Sequence, residues 1–98
     1  MGWRIEFSPE AIEDLKSIVS HIASDNPARA DSFGNELVDR TDILEAFPMA
    51  GRIVPEFLDE RIRELIYRPY RIVYRVAEHD KLIEVLRFWH AARDVPEL

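Results

Sequence analysis

Tyr70-Arg71-Ile72-Val73-Tyr74-Arg75-Val76 decides the fold. Tyr70, Ile72, Tyr74 and Val76 fall on one face of an extended chain, and Arg71, Val73 and Arg75 on the other, so the segment reads as a β-strand. Arg61 to Tyr67 before it and Leu82 to Trp89 after it read as strands too. The connections are short, Arg68-Pro69 and then Ala77 to Lys81, which makes the three strands an antiparallel meander. The last strand is apolar on both faces, Leu82, Leu86 and Phe88 against Ile83 and Val85, so it is either covered on both sides or carries an irregularity.

Upstream the period changes. Trp3-Arg4-Ile5-Glu6-Phe7 alternates and predicts a first strand with Trp3, Ile5 and Phe7 facing in. Ser8-Pro9-Glu10 then supplies an N-cap, a first-turn proline and an acid matched to the helix dipole. Ile12, Leu15, Ile18, Val19 and Ile22 follow at helical spacing as far as about Ser24. Asp25-Asn26-Pro27 breaks the helix and caps a second. That helix carries Ala30, Phe33, Leu37, Leu44 and Phe47 on one stripe, interrupted by Arg40 and Thr41, and ends at Pro48 to Gly51. The expected architecture is α+β, β-αα-βββ: a helical hairpin on a mostly antiparallel four-stranded sheet, whose opposite face is partly open and carries arginines. Ile12, Leu15, Ile22, Phe33, Leu37 and Leu44 are expected to pack on Ile5, Ile72, Tyr74 and Leu86.

Ninety-eight residues, 47% hydrophobic and 33% charged, are the composition of one globular domain spanning 1–98. No repeat or linker divides them. The chain lacks cysteine, which excludes disulfides and thiolate chemistry. Its short apolar runs predict no membrane span, and its charged start is not expected to be a secretory signal, so a cytoplasmic protein is expected. The net charge of −6 argues against a general nucleic-acid binder. That total hides an asymmetry. Residues 1–60 hold 5 basic side chains against 13 acidic, whereas residues 61–93 hold 8 against 4. An Arg-rich stretch beside an acidic one suggests a localised surface for a partner.

No phosphate loop and no nucleophile elbow is present. His21, His79 and His90 lie in different elements, none with a second ligand at metal spacing, so neither metal nor cofactor is expected. His21 and His79 fit surface positions. His90 follows Arg87-Phe88-Trp89 and precedes Arg93, a grouping that places an acid–base residue among guanidiniums. The alternative is that Trp89 and His90 merely finish the sheet.

Several strings in order resemble the RelE/ParE superfamily of bacterial toxin–antitoxin toxins, a group that includes the plasmid stabilisation proteins. They are Phe7 to Leu15 (FSPEAIEDL), Asp25 to Ala30 (DNPARA), Phe47 to Arg52 (FPMAGR), Ile62 to Leu65 (IREL), Tyr70 to Val76 (YRIVYRV) and Val85 to Asp94 (VLRFWHAARD). The resemblance covers nearly the whole chain and implies the same β-αα-βββ fold. It also implies a cognate antitoxin as partner and one of two mechanisms. RelE-like members cut messenger RNA on the ribosome by metal-free acid–base chemistry. ParE-like members instead poison DNA gyrase and inhibit growth.

On the nuclease reading Arg71 matches the middle-strand arginine and Arg87 a basic position on the last strand, with His90 as general acid and Glu56 at best the base. Against it, the loop from Gly51 to Glu60 has a single basic residue, Arg52, beside the acids Glu56, Asp59 and Glu60. The acidic total also suits ribosome docking badly, and the HAARD ending looks ParE-like. The favoured reading is therefore a gyrase-binding toxin without catalysis, for which Arg61, Arg63, Arg71, Arg75, Arg87, Trp89, His90 and Arg93 are the expected target- or antitoxin-binding residues. A ribosome-dependent endoribonuclease and a non-toxic antitoxin-binding relative are the alternatives.

Overall fold

The computed structural model describes residues 2–98. Its elements are β1 (Arg4–Phe7), α1 (Pro9–Ala23), α2 (Pro27–Arg40), a 3-10 turn (Thr41–Glu45), β2 (Arg52–Ile53), β3 (Ile62–Tyr67), β4 (Tyr70–Ala77) and β5 (Leu82–His90). The sheet order is β1-β5-β4-β3-β2, with β1 parallel to β5 and every other pair antiparallel. The sheet therefore has five strands rather than the expected four. The added β2 pairs only Arg52 with Glu64 and Ile53 with Arg63, and two residues leave no alternation to read in a sequence.

Ser8 joins the first strand, the first helix and the last strand. Its backbone is extended, its hydroxyl accepts from the Ala11 N–H at 3.0 Å, and the same hydroxyl donates to the Leu86 carbonyl at 2.9 Å. Its own N–H donates to Val85 O. Asn26 caps α2 in the same way, its Oδ1 accepting from Arg29 N, with Pro27 opening the helix. The two helices approach closely because of Gly34: a Cβ there would sit 2.8 Å from Val19 Cγ2. A mid-helix glycine costs about 1 kcal/mol of helix propensity, and here it lets the hairpin close.

One face of the sheet packs on the hairpin. Ile18, Phe33, Leu37 and Leu44 meet Leu65, Ile72, Tyr74, Val76, Ile83 and Phe88, with Leu15, Ile22, Ile5, Phe7 and Trp3 partly buried around them. Two expected core positions, Ile12 and Leu86, and one position of the expected α2 stripe, Phe47, differ. Ile12 is 44% exposed, on the solvent edge of the α1 stripe. Phe47 is exposed because helical structure does not reach it: the chain tightens from α to 3-10 geometry after Arg40 and leaves the helix at Glu45. At 3.0 residues per turn Thr41 and Leu44 share the buried face, and Phe47, beyond the last turn, leaves it. Buried Thr41 stabilises this tightening by donating its hydroxyl to Val38 O at 2.7 Å.

Leu86 is the third. The β4–β5 register pairs Val73 with Arg87 and Tyr74 with Val85, leaving Leu86 as the extra residue of a β-bulge. Before the bulge Ile83 and Val85 face the helices; after it Phe88 does. This is the irregularity behind a strand apolar on both faces. Leu86 packs instead with Val54, Phe57, Ile62 and Val73 in a second, smaller cluster.

Leu37→Ala should cost about 2–5 kcal/mol, since a fully buried leucine leaves a cavity where helices and sheet meet. Ser8→Ala should cost about 0.5–2 kcal/mol as a lost N-cap, with the lost bond to Leu86 O adding to it. Urea unfolding followed by circular dichroism measures both; equal unfolding midpoints for wild type and either variant would contradict this packing.

Candidate functional site

Strand alternation puts Arg71, Val73 and Arg75 of β4 on the sheet face away from the helices, together with Glu64 of β3. Arg71 is buried and fully engaged. Its Nη1 and Nη2 donate to the two Glu56 carboxylate oxygens at 2.9 and 2.7 Å, and its Nε donates to Glu64 Oε1 at 2.6 Å. The other Glu64 oxygen accepts from Arg52 Nε at 2.7 Å. The Glu64 side chain is 0% exposed and that of Arg71 8%, so each buried charge has its counter-charge in hydrogen-bond contact. The Arg71 guanidinium pulls the Glu56 carboxyl down to about 2, against some desolvation. The Glu56 contact in turn raises Arg71 above the usual arginine value.

A second cluster follows the bulge. Beyond Val85, β5 has no β1 neighbour, and Asp14 of α1 takes that place. Asp14 Oδ2 accepts from the Phe88 N–H at 3.0 Å, and its carboxylate receives Arg87 Nε and Nη2 at 2.7 and 2.8 Å. The Arg87 and Asp14 side chains are 17% and 13% exposed. The hydrogen bond to Asp14 raises the Arg87 pKa. Arg87 also donates to Glu97 O, and the Trp89 indole N–H to Asp94 O, so the C-terminal residues fold back over β5. Trp89, 2% exposed, lies between two guanidiniums: Arg93 at 3.7 Å and Arg87 at 4.7 Å from its ring.

His90 lies beside the second cluster and away from Arg71. Its Nδ1 accepts from the Ala92 N–H, its ring meets Tyr70 edge-on at 5.2 Å, and it lines a small cleft with His21, Asp14 and Arg93. Arg61 pairs with Asp59, Arg75 with Glu84, and Arg63 donates to the carbonyls of Glu60 and Gly51.

The structure thus brings Arg71 and Glu56 together, and separately Arg87, Trp89 and Arg93. It leaves Arg61, Arg63 and Arg75 in local contacts and His90 at the strand end. The face expected to be open and to display arginines has its guanidiniums bound to the chain's own carboxylates and carbonyls, because burying them requires partners. Among those partners, Asp14 and Glu64 were not singled out by the sequence. Glu64 left a trace, since it shares a strand face with Ile62 and Ile66, where an acid needs a paired base. Asp14 left none: it looks like any wet-face helix residue. Among the described residues no three His, Asp or Glu side chains converge as metal ligands, and no helix is long and apolar enough to cross a membrane.

The family model described as the ParE toxin of type II toxin–antitoxin system, parDE, matches residues 5–95. In fold the chain is similar to the chromosomal ParDE toxin–antitoxin system of P. aeruginosa, with a TM-score of 0.76 at 23% identity over 90% of this chain and 95% of that one. It is also similar to the RelBE2 toxin–antitoxin complex of Mycobacterium tuberculosis, with a TM-score of 0.61 at 20% identity over 92% and 99%. The isolated RelE toxin of E. coli aligns with a TM-score of 0.59 at 16% identity over 94% and 87%. No curated protein matches the sequence.

Asp14→Ala should destabilise by about 3–5 kcal/mol, because it strands the part-buried Arg87 charge and the Phe88 N–H together. Asp14→Asn, which keeps an acceptor, should lose less. Glu56 is held below its unfolded value of 4.5. Its contribution is therefore present above about pH 4.5 and is lost as pH falls toward 2. In urea titrations Glu56→Gln should be less stable than wild type at pH 7 and should lose less stability over that acid window. Parallel pH profiles for the two proteins would refute the pairing.

Proposed function

This chain belongs to the ParE toxin family of type II toxin–antitoxin systems, and we propose that it inhibits growth by binding DNA gyrase in the cytoplasm, without cleaving RNA. The observation that supports this reading is the state of the groups an RNA-cutting site would need. Arg71 is closed by Glu56 and Glu64, Arg87 is held by Asp14, and His90 lines a different cleft from Arg71. Stabilising a scissile phosphate requires donors aimed at the reacting atoms beside a proton-transfer group. These side chains instead spend their donors on internal carboxylates. Inhibition by binding needs only complementary surfaces. The acidic outer face of the hairpin is one such surface.

A cognate antitoxin is the expected partner, as in the toxin–antitoxin complexes whose folds this one shares. Two surfaces suit it. The two-residue β2 covers only part of the β3 edge, leaving backbone groups near Ile66 for an added strand. The wet faces of α1 and α2 offer a second surface. Such a pair, maintained on a plasmid, would stabilise its inheritance.

Induction of the chain without an antitoxin should arrest growth, and the purified protein should inhibit gyrase supercoiling. Primer extension on translated messages should show no new ends. Ribosome-dependent cuts that vanish in Arg71→Ala would overturn this reading in favour of an endoribonuclease. Normal growth on induction would favour an antitoxin-binding relative that is not toxic.

A further inference from the structure

We propose that Leu58 is the anchor by which this protein docks on its target, an apolar knob entering an apolar pocket on a protein beside a basic side chain that meets Glu60. This rests on the reading that the chain acts by binding a protein, and it names the part that makes the contact. Leu58 lies in the segment between β2 and β3 and is 84% exposed, more than any other large hydrophobic residue among those described. Its φ of 51° is in the left-handed region, which a bulky side chain adopts at a cost and which glycine or asparagine takes readily. Neither burial nor backbone geometry therefore calls for leucine at this position, and a cost kept at an exposed position points to a contact outside the chain.

The knob is held rigidly. On its N-terminal side the Phe57 and Leu58 N–H groups both donate to Val54 O, at 3.1 and 3.2 Å. Phe57 packs with Val54, Ile62 and Val73, and Glu56 is gripped by Arg71. On its C-terminal side Ile62 N donates to Asp59 O at 2.9 Å, and the Asp59 carboxylate accepts from the Arg61 backbone and guanidinium. Arg63 Nε donates to Glu60 O at 3.0 Å. Contacts on both sides thus fix the backbone that presents Leu58, so little freedom is lost when a partner receives it. The closed Arg71–Glu56 pair, which takes Arg71 out of chemistry, here serves to aim the neighbouring residue.

Charge says what receives it. Of the three acids around Leu58, Glu56 is spent on Arg71 and Asp59 on Arg61, which leaves exposed Glu60 without an ion pair among the described residues. A complementary pocket therefore carries a basic group at its rim. A second copy of this chain does not supply one. Its groove between the helices is walled by Leu15, Val19, Gly34 and Val38 but flanked by Asp31, so Glu60 would meet like charge there. The β3 edge that suits an antitoxin strand is near Ile66, at the opposite end of β3 from this segment.

The test compares the full chain with Leu58→Asn, Leu58→Met and Glu60→Lys. Leu58→Asn should unfold at a urea midpoint no lower than wild type, because asparagine takes a positive φ more readily. In supercoiling assays with purified gyrase it should inhibit at least about tenfold less than wild type, the loss expected of a central apolar anchor. Leu58→Met keeps an apolar knob and should stay within about threefold of wild type. Glu60→Lys should lose about tenfold through repulsion from the basic rim. Affinity for the cognate antitoxin should be unchanged in Leu58→Asn. Full inhibition by Leu58→Asn or Glu60→Lys, equal losses in Leu58→Asn and Leu58→Met, a lowered urea midpoint, or antitoxin affinity falling with inhibition would each overturn the proposal. Growth arrest by wild type without gyrase inhibition would sink the gyrase reading alone, and growth then becomes the readout. Normal growth on induction of Leu58→Asn at matched protein level supports the anchor, and continued arrest refutes it. A wild type that arrests nothing leaves Leu58 without a target and refutes it too.

Discussion

Leu86 has no partner across the β4–β5 pair, and the geometry of the outer half of β5 follows from that extra residue. Without it Arg87 would point at the helical hairpin and Phe88 at water. With it Phe88 enters the main core, Leu86 fills the second cluster, and Arg87 reaches the Asp14 carboxylate at the edge where β1 has ended. Ser8 fixes the bulge from outside by donating to the Leu86 carbonyl. One irregularity thus sets the helix start, the second core and an ion pair bridging residues far apart in sequence.

The arginines follow a different constraint. A guanidinium on a covered sheet face must have its charge met, and this chain meets it internally. Glu64 serves Arg71 and Arg52 at once, and Glu56 completes Arg71. Such pairs contribute little net stability against an apolar replacement of the same shape, yet losing one partner is expensive because the other charge stays buried. They act chiefly to specify one arrangement of β2, β3, β4 and the segment from Val54 to Ile62. The surface charge left over is the acidity of the hairpin and the exposed ends of a few arginines.

Much of the fold was legible because its signals are local. The alternation of Tyr70 to Val76, the cap and proline at Ser8-Pro9 and the break at Asn26-Pro27 each fix a backbone conformation within a few residues. Features set by distant contacts were not legible. Neither the bulge at Leu86 nor the Gly34 helix contact has a local mark, and β2 is too short to have a period. The site was legible only as a list of residue types. Arg71 and Glu56 were both singled out, but their pairing across 15 positions was not, and Asp14 was indistinguishable from a solvated helix acid until Arg87 was found against it.

The parallel pairing of β1 with β5 joins residues 4–7 to residues 82–85, close to the two ends of the described chain. During synthesis the first strand therefore has no sheet neighbour until β5 has been made, and contacts this far apart in sequence form late. The helical hairpin and the β3–β4 pair can gather earlier, but the sheet cannot close on β1. A nascent copy thus holds its first strand unpaired until β5 emerges, and the Arg87–Asp14 pair between β5 and α1 cannot close before then.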